Sequence, residues 1–340
     1  MVEHRLATFV HVSDTHIGDL DPRTGDAALD ESVRRRWEKG GHFYGFFGHT
    51  HVALAQLAAF YGRLREDEGA RLIHTGDLTR WGGARQLALA DRYFRSRLDT
   101  PGGPVGLDDP TALELAVPGN HDHWPGNGHV FGRCDPAVRR AFGALPVPPR
   151  RLALRGGRSL LFAGIDSDAD VWGWGPSRAL ARGAFRSQLR KLAKALPAPG
   201  ADEVRVLLLH HSPVHLGPQL GLARGSRAAL DRFVARHRFR ILLTGHIHVP
   251  GGRVRRFAHG DVLEARAGTA VLRDFLPEEW VRSGHGPLAP LPQDALLVHR
   301  VFETAAGLEW RTTLHLRTKS GFEDRGPLPG AEGLAVPRSA

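Results

Sequence analysis

The amino-acid sequence predicts an α/β fold. Short apolar runs alternate with stretches whose apolar residues recur at helical spacing, and several of the apolar runs stop directly on Asp, Asn or His. Beyond about residue 250 the helical stretches give way to strand-like runs.

Leu6–Val12 reads as a first strand, uninterrupted by Gly or Pro. Val52–Glu66 reads as a helix with Leu54, Leu57, Tyr61 and Leu64 on one face. Arg71–His74 is a short strand, and Arg85–Leu98 a helix that aligns Leu87, Ala90, Phe94 and Leu98. Leu113–Val117 and Ser159–Ile165 are further strands. Ala184–Leu196 repeats the helical pattern through Phe185, Leu189, Leu192 and Leu196. Val204–Leu209 is a strand, Ser226–His237 a helix, and Arg240–Leu243 a strand. Asp261–Ala265, Ala295–Phe302 and Leu308–Leu316 read as strands, with a hairpin turn at Ala305–Gly307. Thr100–Pro110 and Leu145–Pro149 are rich in Gly or Pro and read as surface loops. From about Gly321 apolar periodicity is missing, which predicts a disordered tail over 321–340 after one domain over 1–320.

Composition narrows the class of protein. Of the 340 residues, 41% are hydrophobic and 24% charged, as in ordinary soluble domains. No apolar run is long enough to cross a bilayer. The N-terminus lacks the pattern of a signal peptide, and a cytoplasmic setting is expected. Cys134 is the single cysteine, which excludes an intramolecular disulfide and a thiolate metal cluster. The net charge of +10 admits two readings. One is a polyanionic partner such as nucleic acid. The other is genome composition, because Lys occurs only at 39, 191, 194 and 319 while Arg is spread along the whole chain.

The chemistry lies where strands end. The first runs into Ser13-Asp14-Thr15-His16, the second into Gly76-Asp77, and the third into Pro118-Gly119-Asn120-His121-Asp122. The strand at 204–209 ends on His210-His211, and that at 240–243 on Gly245-His246-Ile247-His248. In an open α/β sheet, ligands bind beyond the carboxyl ends of the strands, so these residues converge there. Lone buried carboxylates and imidazoles are costly, and a shared metal centre removes that cost for all of them together. Imidazole, carboxylate and amide oxygen suit Mn, Fe, Zn, Co or Ni.

The ordered set DTH, GDL, GNHD, HH and GHIH resembles the calcineurin-like metallophosphoesterases, from Asp14 to His248. One such motif would be weak evidence. All five in order, each after a strand, are specific. The resemblance implies a four-layer αββα sandwich, with two mixed β-sheets packed face to face and the strands after 250 completing the second sheet. It implies two divalent transition-metal ions. Asp14, His16 and His248 would hold the first, Asp77 would bridge, and Asn120, His210 and His246 would hold the second. His121 would face the leaving group, and Asp122 would orient His121.

Neighbouring residues need separate readings. His210 is preferred to His211 because the first His of an HH-x-P stretch takes the ligand place in related sequences. Gly48-His49-Thr50-His51 mimics GHIH but precedes a helix without a strand before it, and reads as a helix entry. His74 reads as a core histidine inside a strand. His123, Trp124 and His215 flank the signature loops, either packing or lining the pocket. Asp166 ends a strand and reads as a support to the site, not as a ligand.

The implied activity is hydrolysis of a phosphodiester, with a monoester as the lesser option, by hydroxide generated between two ions while His121 assists the departing oxygen. GDLT, PGNHD and HHSP are most similar to class III cyclic-nucleotide phosphodiesterases, so the expected partner is a phosphate ester such as a nucleotide. DTHIG and GHIHVP are also similar to nucleases of the same superfamily, although their long DNA-binding regions have no counterpart here. A protein-binding scaffold of the same fold is disfavoured because all seven ligand positions and His121 are intact.

Overall fold

The computed structural model describes residues 3–28, 48–124, 135–171, 181–200, 202–214, 220–271, 294–305 and 307–337. In chain order the strands are β1 (His4–Val12), β2 (Arg71–His74), β3 (Val147–Ala153), β4 (Ser159–Gly164), β5 (Glu203–Leu208) and β6 (Phe239–Thr244). They continue as β7 (Gly251–Phe257), β8 (Gly260–Arg266), β9 (Ala295–Thr304), β10 (Gly307–Arg317), β11 (Phe322–Pro327) and β12 (Gly333–Pro337). The helices are α1 (His51–Glu68), α2 (Ala84–Arg95), α3 (Asp135–Phe142), α4 (Arg186–Ala195) and α5 (Ser226–His237).

The strands form two mixed sheets. One has the order β11-β10-β9-β1-β2, with β12 also paired to β10. The other has the order β3-β4-β5-β6-β8-β7. Alternation along each strand assigns the two faces. Phe9, Ile73 and Leu297 pack with Val206, Leu208, Ile241 and Leu243 in a core between the sheets. Their chain neighbours Val10, Leu72, Leu296 and Val298 turn the other way, against Leu54, Leu57, Tyr61 and Phe94 of α1 and α2. On the far side, Leu207, Leu242 and Val262 meet Leu189, Leu192, Leu230 and Val234 of α4 and α5. The result is the four-layer αββα sandwich that the resemblance implies.

Four details depart from the sequence reading. Leu113–Val117 is not a strand: residues 110–115 form turns, and a single bridge joins Ala116 to His74 through one exchange of hydrogen bonds with β2. Leu145–Pro149 is not wholly a loop, since β3 starts at Val147. It lies at the edge of its sheet, where Pro148 and Pro149 need no ladder N–H and fall at a shift in register. The expected disordered tail contains β11 and β12, which both pair with β10 and place Phe322 and Leu334 in the core. Finally, the strands after 250 divide between the sheets. β7 and β8 extend the second, whereas β9 pairs antiparallel with β1 and carries β10 into the first.

Gly48-His49-Thr50-His51 is a helix entry. Thr50 caps α1 by accepting from the Ala53 N–H at 3.1 Å, and the buried His49 accepts from Gly18 N. His74 is a core histidine, with its ring between Gly76 N and Thr15 Oγ1. Among the described residues, no helix is long and apolar enough to cross a membrane.

Candidate metal centre

Five loops meet at the carboxyl ends of β1, β2, β5 and β6 and at the segment beside β2. The loops after β1 and β2 are laced together by backbone bonds, with Asp14 N–H donating to Gly76 O, His16 N–H to Asp77 O and Ile17 N–H to Leu78 O. The loops at the site share an unusual backbone. Asp14, His16, Asp77, His246 and His248 all lie in the left-handed region, with φ between 44° and 80°. Such a conformation costs a non-glycine residue about 1–3 kcal/mol, and it persists only where the surroundings impose it. The motif glycines have a different task, which is to let loops touch. A Cβ on Gly119 would collide with Asp77 Oδ1, and one on Gly245 with Ser13 Oγ.

The seven expected ligand residues come together, and all are buried. Asp14, His16 and His248 form one cluster, and Asp77, His210 and His246 another. His16, Asp77 and His121 form a third that links the two. His248 Nε2 lies 3.3 Å from Asp14 Oδ1 and 3.1 Å from His16 Nε2. Asp77 Oδ2 lies 3.3 Å from His210 Nε2 and 3.9 Å from His16 Nε2. Asn120 Oδ1 lies 3.1 Å from His210 Nε2.

Backbone carbonyls fix two of the tautomers. His210 Nδ1 stands 2.7 Å from Thr75 O and must donate to it, which leaves Nε2 as a lone pair in the neutral ring. His246 Nε2 stands 3.0 Å from Ala181 O and donates there, which leaves Nδ1 as a lone pair. The two bare nitrogens face each other at 3.1 Å, beside Asp77 Oδ2 and Asn120 Oδ1. Four electron-rich atoms converge, an arrangement that repels itself without a cation and suits one with nitrogen and oxygen ligands. A proton answers the same need: burial opposes charge on His210, yet the Asp77 carboxylate raises its pKa to about 9. Burial and the charge on His210 then drive His246 down to about 3.

His211 points elsewhere. Its Nδ1 meets Ser167 Oγ at 2.8 Å, and its backbone N–H donates to the same oxygen. His121, which belongs to the linking cluster, has Nε2 4.0 Å from Asp77 Oδ2, and its backbone N–H donates to Asp77 Oδ1. The expected orienting contact from Asp122 is replaced by the Arg80 carbonyl, 2.9 Å from His121 Nδ1. Asp122 instead accepts from the N–H groups of Leu78, Thr79 and Gly119 and from the Thr79 hydroxyl. Burial and the charge of Asp77 raise its pKa to about 6, against those donors.

The flanking residues also separate. His123 bridges Asp135 and Asp166, at 3.0 and 3.1 Å. Burial opposes its charge, but Asp166 and Asp135 raise it to about 10. Asp166 thus supports the loop without joining the clusters. The Trp124 ring lies against the His121 ring, tilted by 33° with centroids 4.0 Å apart. His215 lies outside the described residues. Sequence reasoning missed the carbonyls of Thr75, Arg80 and Ala181, because a backbone acceptor has no residue signature. It also missed Trp81, although a signal existed: Trp81 and Trp124 each fall four residues after a motif ligand, Asp77 and Asn120.

The family model for calcineurin-like phosphoesterases matches residues 7–250. The chain belongs to this family. Among solved structures, the purple acid phosphatase PPD1 of yellow lupin (Lupinus luteus) is 12% identical, with a TM-score of 0.50 over 94% of this chain and 53% of that one. This chain therefore spans about half the length of the lupin protein. GAP50, the anchor in the inner membrane complex of Plasmodium, is 11% identical, with a TM-score of 0.49 over 94% of this chain and 89% of its own. At such identities the likeness shows the fold alone. No curated protein matches the chain. Calcineurin-like phosphoesterases act on phosphate esters with the aid of divalent metals, and the His and Asp clusters here supply the ligand types that chemistry requires.

Proposed function

We propose that the protein is a dinuclear phosphoesterase that prefers phosphodiesters. In this reading Asp14, His16 and His248 hold one divalent ion, Asn120, His210 and His246 hold the second, and Asp77 serves both. The observation that carries it is the facing of His210 Nε2 and His246 Nδ1 at 3.1 Å, each left as a lone pair by a carbonyl on the opposite edge of its ring. Bound ions of this type supply Lewis acidity to the phosphoryl oxygens and lower the pKa of water.

The chain's own residues do the rest. The strained, interlaced loops hold the ligand atoms before substrate arrives, so little reorganisation is needed on binding. The burial of the clusters keeps bulk water from screening the charge that develops at phosphorus. As the imidazolium, with Nδ1 donating to Arg80 O, His121 presents an Nε2 proton to the departing oxygen, and burial, which lowers its pKa, makes that proton easier to give up. A diester is favoured by the similarity of GDLT, PGNHD and HHSP to cyclic-nucleotide phosphodiesterases.

The test is metal analysis after reconstitution with Mn or Zn, followed by assay on bis(p-nitrophenyl) phosphate and p-nitrophenyl phosphate. Close to two ions per chain, faster turnover of the diester and loss of activity on chelation are expected. Protein that takes up no metal overturns the reading.

A further inference from the structure

A row of polar side chains runs through the apolar core between the sheets and ends at the metal centre. Trp310 on β10 donates its indole N–H to Nδ1 of His299 on β9, at 3.2 Å. His299 Nε2 lies 3.2 Å from Nδ1 of His11 on β1. His11 Nε2 lies 2.9 Å from Oγ1 of Thr75, in the loop after β2. The carbonyl of Thr75 is the one that holds His210 Nδ1, at 2.7 Å. All five residues are buried, and the Trp310 ring stacks on Phe9 within the same core.

The row has a direction. An indole N–H can only donate, so His299 Nδ1 is an acceptor. Thr312 Oγ1 lies 3.0 Å from the same nitrogen, and its hydroxyl donates there as well. Burial drives the pKa of His299 to about 3, and burial together with His299 holds His11 well below 6.5. Both rings are therefore neutral, with one proton each. His299 must carry its proton on Nε2 and donate to His11 Nδ1. His11 then carries its own on Nε2 and donates to Thr75 Oγ1. Burying two imidazoles in an apolar core is costly unless their nitrogens are paired, and here the pairing runs to Thr75.

We propose that His11 and His299 are positioning residues for His210, and that through Thr75 they set the affinity of the second ion. This rests on the dinuclear reading above. Thr75 is tied to β1 twice, because its N–H donates to Val12 O at 3.1 Å and its hydroxyl accepts from His11. The two contacts hold the residue at its backbone and at its side chain, and so fix where its carbonyl points. That carbonyl keeps a proton on His210 Nδ1 and turns Nε2 towards Asp77 and Asn120. The row reaches the ligands at His210, so its influence falls on the second ion. Outer partners that orient a ligating imidazole in this way typically change metal affinity by about 10- to 100-fold.

The experiment titrates chelated protein with Mn and resolves the two binding steps by calorimetry. His11→Leu removes the donor to Thr75 with a side chain that suits the core. One binding step should weaken by about 10- to 100-fold, and the other should stay as in the wild type. Thr75→Val, which removes the hydroxyl that His11 reaches, should repeat the effect if His11→Leu does not fold. His11→Gln returns an N–H near the place of Nε2 and should recover most of the affinity. A merely structural role would lower stability and leave both binding steps of the folded protein unchanged. Nitrogen NMR of isotope-labelled histidine in the chelated protein gives a readout that needs no metal. Wild-type His11 and His299 should each be protonated on Nε2, and the His210 Nδ1 proton should exchange with water faster in His11→Leu and Thr75→Val. Either ring protonated on Nδ1, equal weakening of both steps, two unchanged steps, or no recovery in His11→Gln overturns the proposal. If the wild type binds fewer than two ions, the dinuclear reading fails. The His210 proton then decides the coupling, and unchanged exchange in the variants overturns it.

Discussion

Asp122 and Thr79 are joined twice, because Asp122 Oδ1 accepts from both the backbone N–H and the hydroxyl of Thr79 at 2.9 Å. The contact ties the loop that carries Asn120 to the loop that carries Asp77. Asp122 Oδ2 extends the tie by accepting from Gly119 N and Leu78 N. One buried carboxylate therefore sets the distance between two ligand-bearing loops.

Asp122→Asn keeps the size of the side chain but turns one acceptor oxygen into a donor that faces other donors. Stability should fall by about 1–3 kcal/mol, and metal occupancy with it. Urea unfolding of the chelated protein and metal analysis of the reconstituted protein check the two effects. If metal content stays whole while only the response to leaving-group acidity changes, Asp122 acts on His121 after all.

Among the described residues, Asp77 is the carboxylate that reaches both His16 and His210, at 3.9 and 3.3 Å. Asp77→Ala should remove both ions, whereas Asn120→Ala should remove one. Metal-to-protein ratios after dialysis distinguish them. Retention of a full complement by the Asp77 variant would contradict the bridging role.

How much of this was legible beforehand differs from element to element. Ser226–His237 was readable to the residue, because apolar spacing and chain breaks coincide there. β7 was not, because Gly251-Gly252-Arg253-Val254-Arg255-Arg256-Phe257 carries arginines where an apolar strand is expected. Glu264 and Asp231 neutralise two of these. β11 and β12 were hidden because each is short and contributes a single buried anchor, Phe322 or Leu334, so that neither shows a periodic apolar face and both are ordered by pairing with β10. The site was legible in its side chains because metal chemistry limits residue types. The carbonyls of Thr75, Arg80 and Ala181, which fix the imidazoles, depend on backbone placement that no residue name records.

The adjacent histidines should behave differently. His210 Nε2 faces Asp77, Asn120 and His246, while His211 is engaged with Ser167. His210→Ala should lower occupancy of the second ion and most of the activity, and His211→Ala should leave metal content intact. Metal analysis of both variants decides it, and the reverse ranking would exchange their roles.

His123 makes stability depend on pH. Its folded pKa is raised to about 10 from 6.5, so its contribution is complete below about pH 6.5 and disappears as the pH rises through 10. Breaking a buried ion pair of this kind costs about 3–5 kcal/mol. His123→Gln should therefore destabilise the chelated protein by about that amount at pH 6 and by much less at pH 10.5. Urea midpoints of both proteins across that range give the difference, and a gap constant with pH would rule out the charged pair.

His121→Gln separates binding from chemistry. The residue follows Asn120, and its backbone N–H donates to Asp77 Oδ1, a bond that the substitution keeps. A glutamine amide can still reach the Arg80 carbonyl but cannot carry a titratable proton to the departing oxygen. Both ions should therefore remain bound, while kcat falls by about 10²- to 10⁴-fold for an alkyl ester, whose alkoxide is a poor leaving group. The loss should be much smaller for bis(p-nitrophenyl) phosphate, because p-nitrophenolate departs without needing a proton. Plotting log kcat against leaving-group pKa for the wild type and the variant makes the contrast quantitative, and the variant should show the steeper dependence. Misfolding or metal loss would slow every substrate alike and shift the line without tilting it. Parallel lines with full metal content would assign His121 to positioning through its backbone and ring contacts, and deny it the proton.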